Sequence, residues 1–394
     1  MATSQAVATR RFVVPLSALT AGFVTVLVGF TSSVAIVFQA ASAAGASAAE
    51  VSSWIAALGV AMGVSCIGLS LYYRKPVVTA WSTPGAALLA TSLVGVPMSA
   101  ALGAFVVCGL LILLCGVTGW FEKAIDHIPL PVAAAMLAGV LVRFGMNVFT
   151  AMQVNAVLVL AMFVAWLLLK RLSPRYCVPG VLLLGVAIAA VQGKLNWAGL
   201  HLAVARPMWI TPSFDIATVI GVAVPLFVVT MASQNVPGVA VMRGAGYDTP
   251  VSPLISWTGV LTAVLAPFGC FSVNLAAISA AICMGREAHE DPAQRYQAAV
   301  AAGVFYLIAG LFGATIAALF AAFPHELVLA IAGIALFGTI GNSLSNALRE
   351  ERMREPALIT FLVTASGVTL LGIGAAFWGL VAGALTLLLN RWRA

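Results

Sequence analysis

Two short polar segments interrupt apolar sequence, and each begins with an aromatic residue. They read WSTPG at 81–85 and FSVN at 271–274. Proline cannot continue a helix from the preceding turn, but it suits the first turn of a new helix, which Ser82 or Thr83 can cap. We predict that a half-helix begins at the first segment and that Ser272 or Asn274 caps a matching half-helix at the second.

Backbone N–H groups at a helix N-terminus are unpaired and carry partial positive charge, so they attract anions. Two half-helices that begin at the same depth would form a site for an anion, and Trp81 and Phe271 would flank an aromatic ring of that ligand. Neither segment contains Asp or Glu, which suits an anion because like charges repel strongly at low dielectric. The alternative is that both segments are ordinary kinks with satisfied hydroxyls and packing aromatics.

A second pair of polar clusters lies within long apolar segments. Glutamine beside asparagine inside such a segment is costly unless partners or a ligand satisfy both amides, so Gln234 and Asn235 are candidates. Ser32 and Ser33 occupy the related place in the first half, although serine often bonds back to its own helix. The predicted binding residues are therefore Ser32, Ser33, Trp81, Ser82, Thr83, Gln234, Asn235, Phe271, Ser272 and Asn274.

The elements that must carry these residues are membrane-spanning helices. Of 394 residues, 62% are hydrophobic and 8% are charged, whereas soluble domains carry about a quarter charged residues. The charged residues cluster between apolar runs of roughly 20 residues, the length that a helix needs to cross a bilayer. The alternating ten-residue segments of a β-barrel are absent. The composition therefore predicts an all-α polytopic membrane protein.

Hydropathy divides the chain into about fourteen candidate transmembrane segments, of which the third (76–93) and the tenth (270–284) are short. With the N-terminus inside, 16 of the 19 Lys and Arg residues fall in inner loops. Lys194 and Arg206 fall outside, and Arg143 lies within a span as either a functional or a structural cation. This bias predicts that both termini are cytoplasmic.

An internal repeat relates the two halves. WSTPGAAL at 81–88 aligns with FSVNLAAI at 271–278, and Pro129 and Asn147 match Pro324 and Asn342 at a separation of 195 residues. Seven segments in each half is an odd number, so the second half would be inverted relative to the first. Two inverted 7-segment repeats are a common architecture of secondary transporters.

Other chemistries lack their signatures. The chain has no phosphate-binding Gly-x-x-x-x-Gly-Lys loop, no His, Asp and Glu cluster with metal-ligand spacing, and no histidine placed to activate a serine. The net charge of +7 comes from basic residues that flank apolar spans, which does not favour nucleic acid. We therefore predict no catalytic residues, no cofactor and no metal.

The polar segments resemble those of a known family. The run KPVVTAWSTPGAALL at 75–89 resembles the third-span signature of the benzoate:proton symporters, the BenE-type benzoate membrane transport proteins. GFTSS at 29–33 and FSVNLAA at 271–277 are similar to that family's first and tenth spans. The resemblance covers essentially the whole chain in length and in the order of its spans.

The resemblance implies the fold of uracil permeases and other nucleobase–ascorbate transporters, in which segments 3 and 10 are discontinuous and include short extended stretches. Spans 1–4 and 8–11 would form a substrate-carrying core domain, and spans 5–7 and 12–14 a gate domain. The boundaries would be 1–125 and 213–322 for the core, and 126–212 and 323–394 for the gate. Carboxylates of spans 8 and 10 grip the base in nucleobase transporters, and neither is present here.

The expected function is proton-coupled uptake of benzoate or a related aromatic carboxylate by alternating access, across the bacterial inner membrane. Aryl acids ionise at about pH 4, so the proton could travel with the substrate. A homodimer through the gate domains would agree with the resemblance. The alternatives are another small organic anion, a nucleobase-like solute, or a passive channel.

Overall fold

The computed structural model describes residues 15–120, 130–172, 177–197, 202–286, 288–368, 370 and 375–392, apart from a few side chains. The helices of the first half are α1 (Leu16–Ala43), α2 (Ala48–Tyr73), α3 (Thr83–Ser92), α4 (Met98–Val117), α5 (Leu130–Val154), α6 (Ala156–Leu172) and α7 (Cys177–Val191). Those of the second half are α8 (Ile216–Arg243), α9 (Val251–Leu265), α10 (Ile278–Met284), α11 (Tyr296–Leu311), α12 (Gly313–Ala321), α13 (His325–Leu348), α14 (Arg354–Ser366) and α15 (Ala375–Trp392).

The fold is predominantly helical and crosses the membrane several times, as the composition predicts. In the described residues, six helices are long and apolar enough to span a bilayer, or up to eight if each of two bent helix pairs is one span. This count does not confirm fourteen segments in an inverted repeat. Several predicted segments form helices well below the length of about 20 residues that a span needs, including α3 with 10 residues and α10 with 7.

Two short strands join the halves of the sequence at the centre of the fold. Strand β1 (Thr79–Trp81) pairs with β2 (Val273–Leu275) in antiparallel register, with Ala80 opposite Asn274. Extended backbone inside a membrane must have its N–H and C=O groups satisfied, and here each strand supplies the partners of the other. The extended stretches expected in segments 3 and 10 are therefore confirmed, and each leads into a short helix, α3 or α10.

Glycines allow α2 and α11 to approach closely. A Cβ on Gly59 would lie 2.6 Å from the Cα of Gly310, and a Cβ on Gly303 would lie 2.8 Å from the carbonyl oxygen of Gly63. Such small-residue contacts replace the hydrophobic driving force that helices lack in lipid. They fix α2, which packs beside β1, against α11.

Helix α8 contains two π-helical turns, and each is explained by a proline. Pro225 has no N–H to donate to the carbonyl four residues earlier, within the turn Val219–Ala223. Pro237 has the same effect on the turn Met231–Asn235. π-turns inside α-helices are frequent at functional sites, and the second turn carries the predicted polar cluster.

Candidate functional site

A cavity of about 690 Å³ lies between two groups of helices. One wall comes from α1, α2, β1, α3, α8, α10 and α11, and the facing wall comes from α5, α7 and α13. Its lining extends to Leu130, Val178 and Arg349, which lie at the starts of α5 and α7 and just past the end of α13. The cavity therefore reaches the end of the bundle that the Lys and Arg distribution predicts to be cytoplasmic.

Helix α3 begins at this cavity with the predicted cap. The Ser82 Oγ accepts a hydrogen bond from the Gly85 N–H at 3.0 Å, which confirms Ser82 as the N-cap. Pro84 has no N–H, and the Ala86 N–H donates to the Ser82 carbonyl at 2.7 Å. Thr83 thus remains as the residue whose N–H and hydroxyl can serve a ligand, and it lines the cavity. Ser82 itself is fully buried behind it.

The start of α10 differs from its prediction. Its N-cap is Ala277, with no side-chain hydrogen bond, so the prediction that Ser272 or Asn274 caps this helix is wrong. The physical reason is that β2 continues through Leu275, which delays the helix until Ile278. Ser272 is fully buried, and its hydroxyl lies 3.2 Å from that of Thr230.

The first turn of α10 is consequently uncapped. Ala276, Ala277 and Ser279 line the cavity, and Ser279 is 8% exposed. The N–H groups that begin this helix and the Ser279 hydroxyl therefore face a space where a ligand can satisfy them. Asn274 lies in β2, is fully buried, and its Oδ1 has no hydrogen-bond partner among the described residues.

Trp81 and Ser33 form one wall of the cavity and bond to each other. The Trp81 Nε1–H donates to the Ser33 Oγ at 2.7 Å, and the Ser33 hydroxyl donates to the Gly29 carbonyl at 2.7 Å. The Phe30 ring packs against Trp81 edge-to-face, with centroids 4.6 Å apart. Both polar protons are therefore already used within the protein. The side chain of Ser32 lies outside the described residues.

Phe271 does not reach the cavity. It is fully buried, and its ring packs between Trp54 and Phe105, with centroid distances of 6.3 and 6.2 Å. The structure therefore does not bring Trp81 and Phe271 together around one ligand site.

The adjacent side-chain amides of Gln234 and Asn235 in α8 lie in different surroundings. Gln234 lines the cavity, is partly exposed, and makes no hydrogen bond within the described part of the chain. Asn235 is fully buried, and its Oδ1 accepts a hydrogen bond from the Leu275 N–H at 2.9 Å. Asn235 thus ties α8 to β2, whereas Gln234 is available to a ligand.

A row of polar residues on α13 lines the facing wall and was missed by the sequence reasoning. It consists of Thr339, Asn342, Ser343, Asn346 and, at its end, Arg349. Polar residues spaced three and four apart in an apolar segment indicate one polar face of a helix, so the sequence contained the information needed to find them. Asn342 and Asn346 are exposed, which at membrane depth requires a water-filled cavity. Among the described lining residues, the charged ones are Arg349 and Glu350, at the open end.

Arg143 lies outside this cavity, and its side chain bonds to backbone carbonyls of the protein. Its Nε and Nη2 donate to the carbonyls of Ala365 and Ser366 at 3.2 and 2.7 Å, where α14 ends. A guanidinium at a helix C-terminus stabilises the unpaired carbonyls and the negative end of the dipole. In the described residues, no group of three or more His, Cys, Asp and Glu side chains could hold a metal ion.

The fold of these helices and strands is similar to that of solved membrane transporters. The transmembrane domain of a cyanobacterium bicarbonate transporter, BicA, matches with a TM-score of 0.57 and 12% identity, over 94% of this chain and 97% of that one. The murine Slc26a9 anion transporter in the inward-facing state matches with a TM-score of 0.59 and 12% identity, over 98% of this chain and 69% of that one. These folds are of the BicA and SLC26 type, which corrects the expected uracil-permease fold. The short motifs on which that expectation rested concern the starts of two helices, and they carry no information on how the remaining helices pack.

The sequence places the chain within this class. The family profile described as "Benzoate membrane transport protein" matches residues 13–389. The Benzoate membrane transport protein of Acinetobacter baylyi is 40% identical over 370 residues, 94% of each chain. Inner membrane protein YdcO of Escherichia coli is 52% identical over 374 residues, 95% of this chain and 96% of that protein. The chain therefore belongs to the benzoate membrane transport protein family.

Proposed function

We propose that this protein takes up benzoate or a closely related aromatic carboxylate by proton-coupled secondary transport across the inner membrane. The observation that carries the proposal is the cavity of about 690 Å³, whose described charged residues lie at its open end while unpaired donors line its inner part. Its volume is in the range of small-molecule sites. The family relative from Acinetobacter baylyi, which is named for benzoate, supports the substrate class.

The carboxylate would bind at the two helix starts. The uncapped first turn of α10, with the Ser279 hydroxyl, faces the same cavity as the N–H and hydroxyl of Thr83. The Gln234 amide adds a neutral donor from α8. Hydrogen bonds to an ionised carboxylate are shorter and stronger than neutral ones, so a few such donors suffice to orient the anion.

The ring of the substrate would lie against the apolar part of the wall. Trp81, Pro84 and Leu336 supply that surface, and Trp81 is held in place by its bond to Ser33. An aromatic ring gains both area burial and favourable edge-to-face geometry against an indole. In this proposal, Ser33, Ser82, Asn235, Phe271, Ser272 and Asn274 shape and position the site without touching the carboxylate.

Transport would proceed by alternating access between the predicted core domain (1–125 and 213–322) and gate domain (126–212 and 323–394). The cavity lies between helices of the two sets and reaches one end of the bundle. If the termini are cytoplasmic, as the Lys and Arg distribution predicts, this arrangement corresponds to an inward-open state. The fourteen-segment inverted repeat and a homodimer through the gate domains belong to the same proposal.

The proton would cross with the substrate. Among the described lining residues, Glu350 at the open end is the only carboxylate and there is no histidine. The substrate would bind as the anion, and its carboxylate would take up the proton only for the crossing step. The pKa of an aryl carboxyl is about 4, near that of Asp or Glu, so this step needs no side-chain relay.

The test is uptake of radiolabelled benzoate into proteoliposomes, with and without an inward proton gradient and against protein-free liposomes. Accumulation that collapses with an uncoupler and is blocked by unlabelled benzoate is the expected result. Uptake that only equilibrates would instead indicate a channel. Folded protein without benzoate uptake would overturn the substrate assignment, and other organic anions and nucleobases would then be compared.

A further inference from the structure

Tyr306, in the middle of α11, presents a buried hydroxyl to the cavity. The residue is 1% exposed and lines the cavity, and its hydroxyl makes no hydrogen bond within the part of the chain that the structure describes. Buried hydroxyls in folded proteins nearly always have a partner, because desolvation without one is costly. We therefore expect the Tyr306 hydroxyl to form a hydrogen bond with a ligand that enters the cavity.

The position of this hydroxyl is fixed by its neighbours. The Tyr306 ring lies beside Phe30, with centroids 6.2 Å apart, and Phe30 in turn packs against Trp81. A Cβ on Gly29 would lie 3.3 Å from the hydroxyl oxygen, so the absence of a side chain there leaves the hydroxyl its space. The hydroxyl is thus directed to the stretch of α1 that also carries Ser33.

Three neighbouring polar groups of the same wall, those of Trp81, Ser33 and Ser233, have no proton left to give. The Trp81 indole donates to Ser33, the Ser33 hydroxyl donates to the Gly29 carbonyl, and the Ser233 hydroxyl donates to the Val229 carbonyl. A hydroxyl has one proton, so these groups cannot also donate to an anion without breaking those bonds. The Tyr306 hydroxyl keeps its proton available.

We propose that the Tyr306 hydroxyl donates a hydrogen bond to the carboxylate of the bound substrate. The inference rests on the proposed function and adds a residue of α11 to a site otherwise built from α3, α8 and α10. A phenol O–H to a carboxylate is a charge-assisted bond, stronger than a neutral one. It also aligns the carboxylate beside the Trp81 wall, with the ring along the apolar surface.

The test is Tyr306→Phe, which removes one hydroxyl and leaves the ring packing in place. Benzoate affinity of the purified protein, measured by calorimetry, is expected to fall about tenfold or more, as for loss of a hydrogen bond to a charged group. The Tm without ligand is expected to stay equal or to rise, because the variant loses an unpaired buried hydroxyl. Tyr72→Phe is the matched control, since Tyr72 is 80% exposed and does not line the cavity.

The outcomes separate this inference from the proposed function. Wild-type binding that Tyr306→Phe leaves unchanged would overturn the inference alone, and so would a lowered Tm with unchanged affinity. A wild-type protein that does not bind benzoate would overturn both. If Tyr306→Phe does not fold, Gly29→Ala tests the same contact, because its methyl group would crowd the hydroxyl. Weaker benzoate binding in that variant supports the inference, and unchanged binding overturns it.

Discussion

Replacing Gln234 by Glu tests whether the ligand is an anion. Gln234 lies in the second π-turn of α8 and lines the cavity without a described hydrogen bond. Glutamate has nearly the same shape, so the change adds one negative charge and alters little else. A neutral solute would tolerate this charge, whereas a carboxylate ligand would be repelled.

The size of the cavity sets the magnitude of the repulsion. A sphere of 690 Å³ is about 11 Å across, and we take this as the scale of the separation between a bound anion and the new charge. At an effective dielectric of about 20, two like charges repel by about 1.5 kcal/mol at 11 Å and about 3 kcal/mol at half that distance. Benzoate binding should therefore weaken by about 10- to 150-fold.

The assay is calorimetric titration of benzoate at pH 7, where Glu and benzoate are both ionised. Gln234→Met is the matched control, because it loses the amide without gaining charge and should weaken binding less than Gln234→Glu does. Equal affinity of Gln234→Glu and the wild-type protein would refute the reasoning. The ligand would then be neutral, as for a nucleobase-like solute, or bound outside this cavity.

Three further substitutions test the elements around the site. Ser82→Ala removes the bond to the Gly85 N–H and should lower the free energy of unfolding by about 1 kcal/mol, seen as a lower Tm; an unchanged Tm would contradict the capping role. Arg143→Met should lower the Tm by unpairing the last carbonyls of α14, each such bond contributing about 1.5–3 kcal/mol, with benzoate affinity unchanged. Lost binding at normal stability would instead place Arg143 in the ligand site. Gly269→Ala should yield little folded protein by size-exclusion chromatography, because φ is 101° and a Cβ would collide with the Trp54 indole; normal yield would contradict this.

The sequence predicted the start of α3 because its signals are local. A serine followed two residues later by proline favours a helix cap and a first turn, whatever the rest of the chain does. The start of α10 has no such signal. The alignment of WSTPGAAL with FSVNLAAI pairs Trp81 with Phe271, a separation of 190 residues. The two helices begin at Thr83 and Ile278, a separation of 195 residues, which is the separation of the weaker proline and asparagine matches. Only the pairing of β2 with β1 reveals where β2 ends.

The polar cluster of α8 shows a second limit of prediction from the sequence, after the start of α10. Gln234 and Asn235 are equally costly inside a span, so the sequence indicates both and cannot assign them different partners. Successive residues of a helix point about 100° apart, and a π-turn shifts their directions further. The structure assigns Gln234 to the cavity and Asn235 to the Leu275 N–H.

Hydroxyl groups show a third limit of prediction from the sequence. A hydroxyl can donate to a ligand only if its single proton is not already bonded within the protein. Ser33 was predicted from its position, but its proton is bonded to Gly29. Tyr306 was not predicted, because a tyrosine in an apolar, alanine-rich helix is ordinarily a packing residue. Tertiary contacts decide both cases.

The pairing of β1 with β2 has a consequence for the synthesis of the protein. Strand β1 cannot complete its hydrogen bonds until residue 275 has left the ribosome, nearly 200 residues after Thr79. At about 5–20 residues per second, that interval is roughly 10–40 s. During it, the nascent first half must keep polar backbone shielded from lipid by water or by the insertion machinery. The centre of the transporter therefore cannot be completed while only the first half has been translated, and translation of the second half as far as β2 sets the earliest time at which the first half can finish folding.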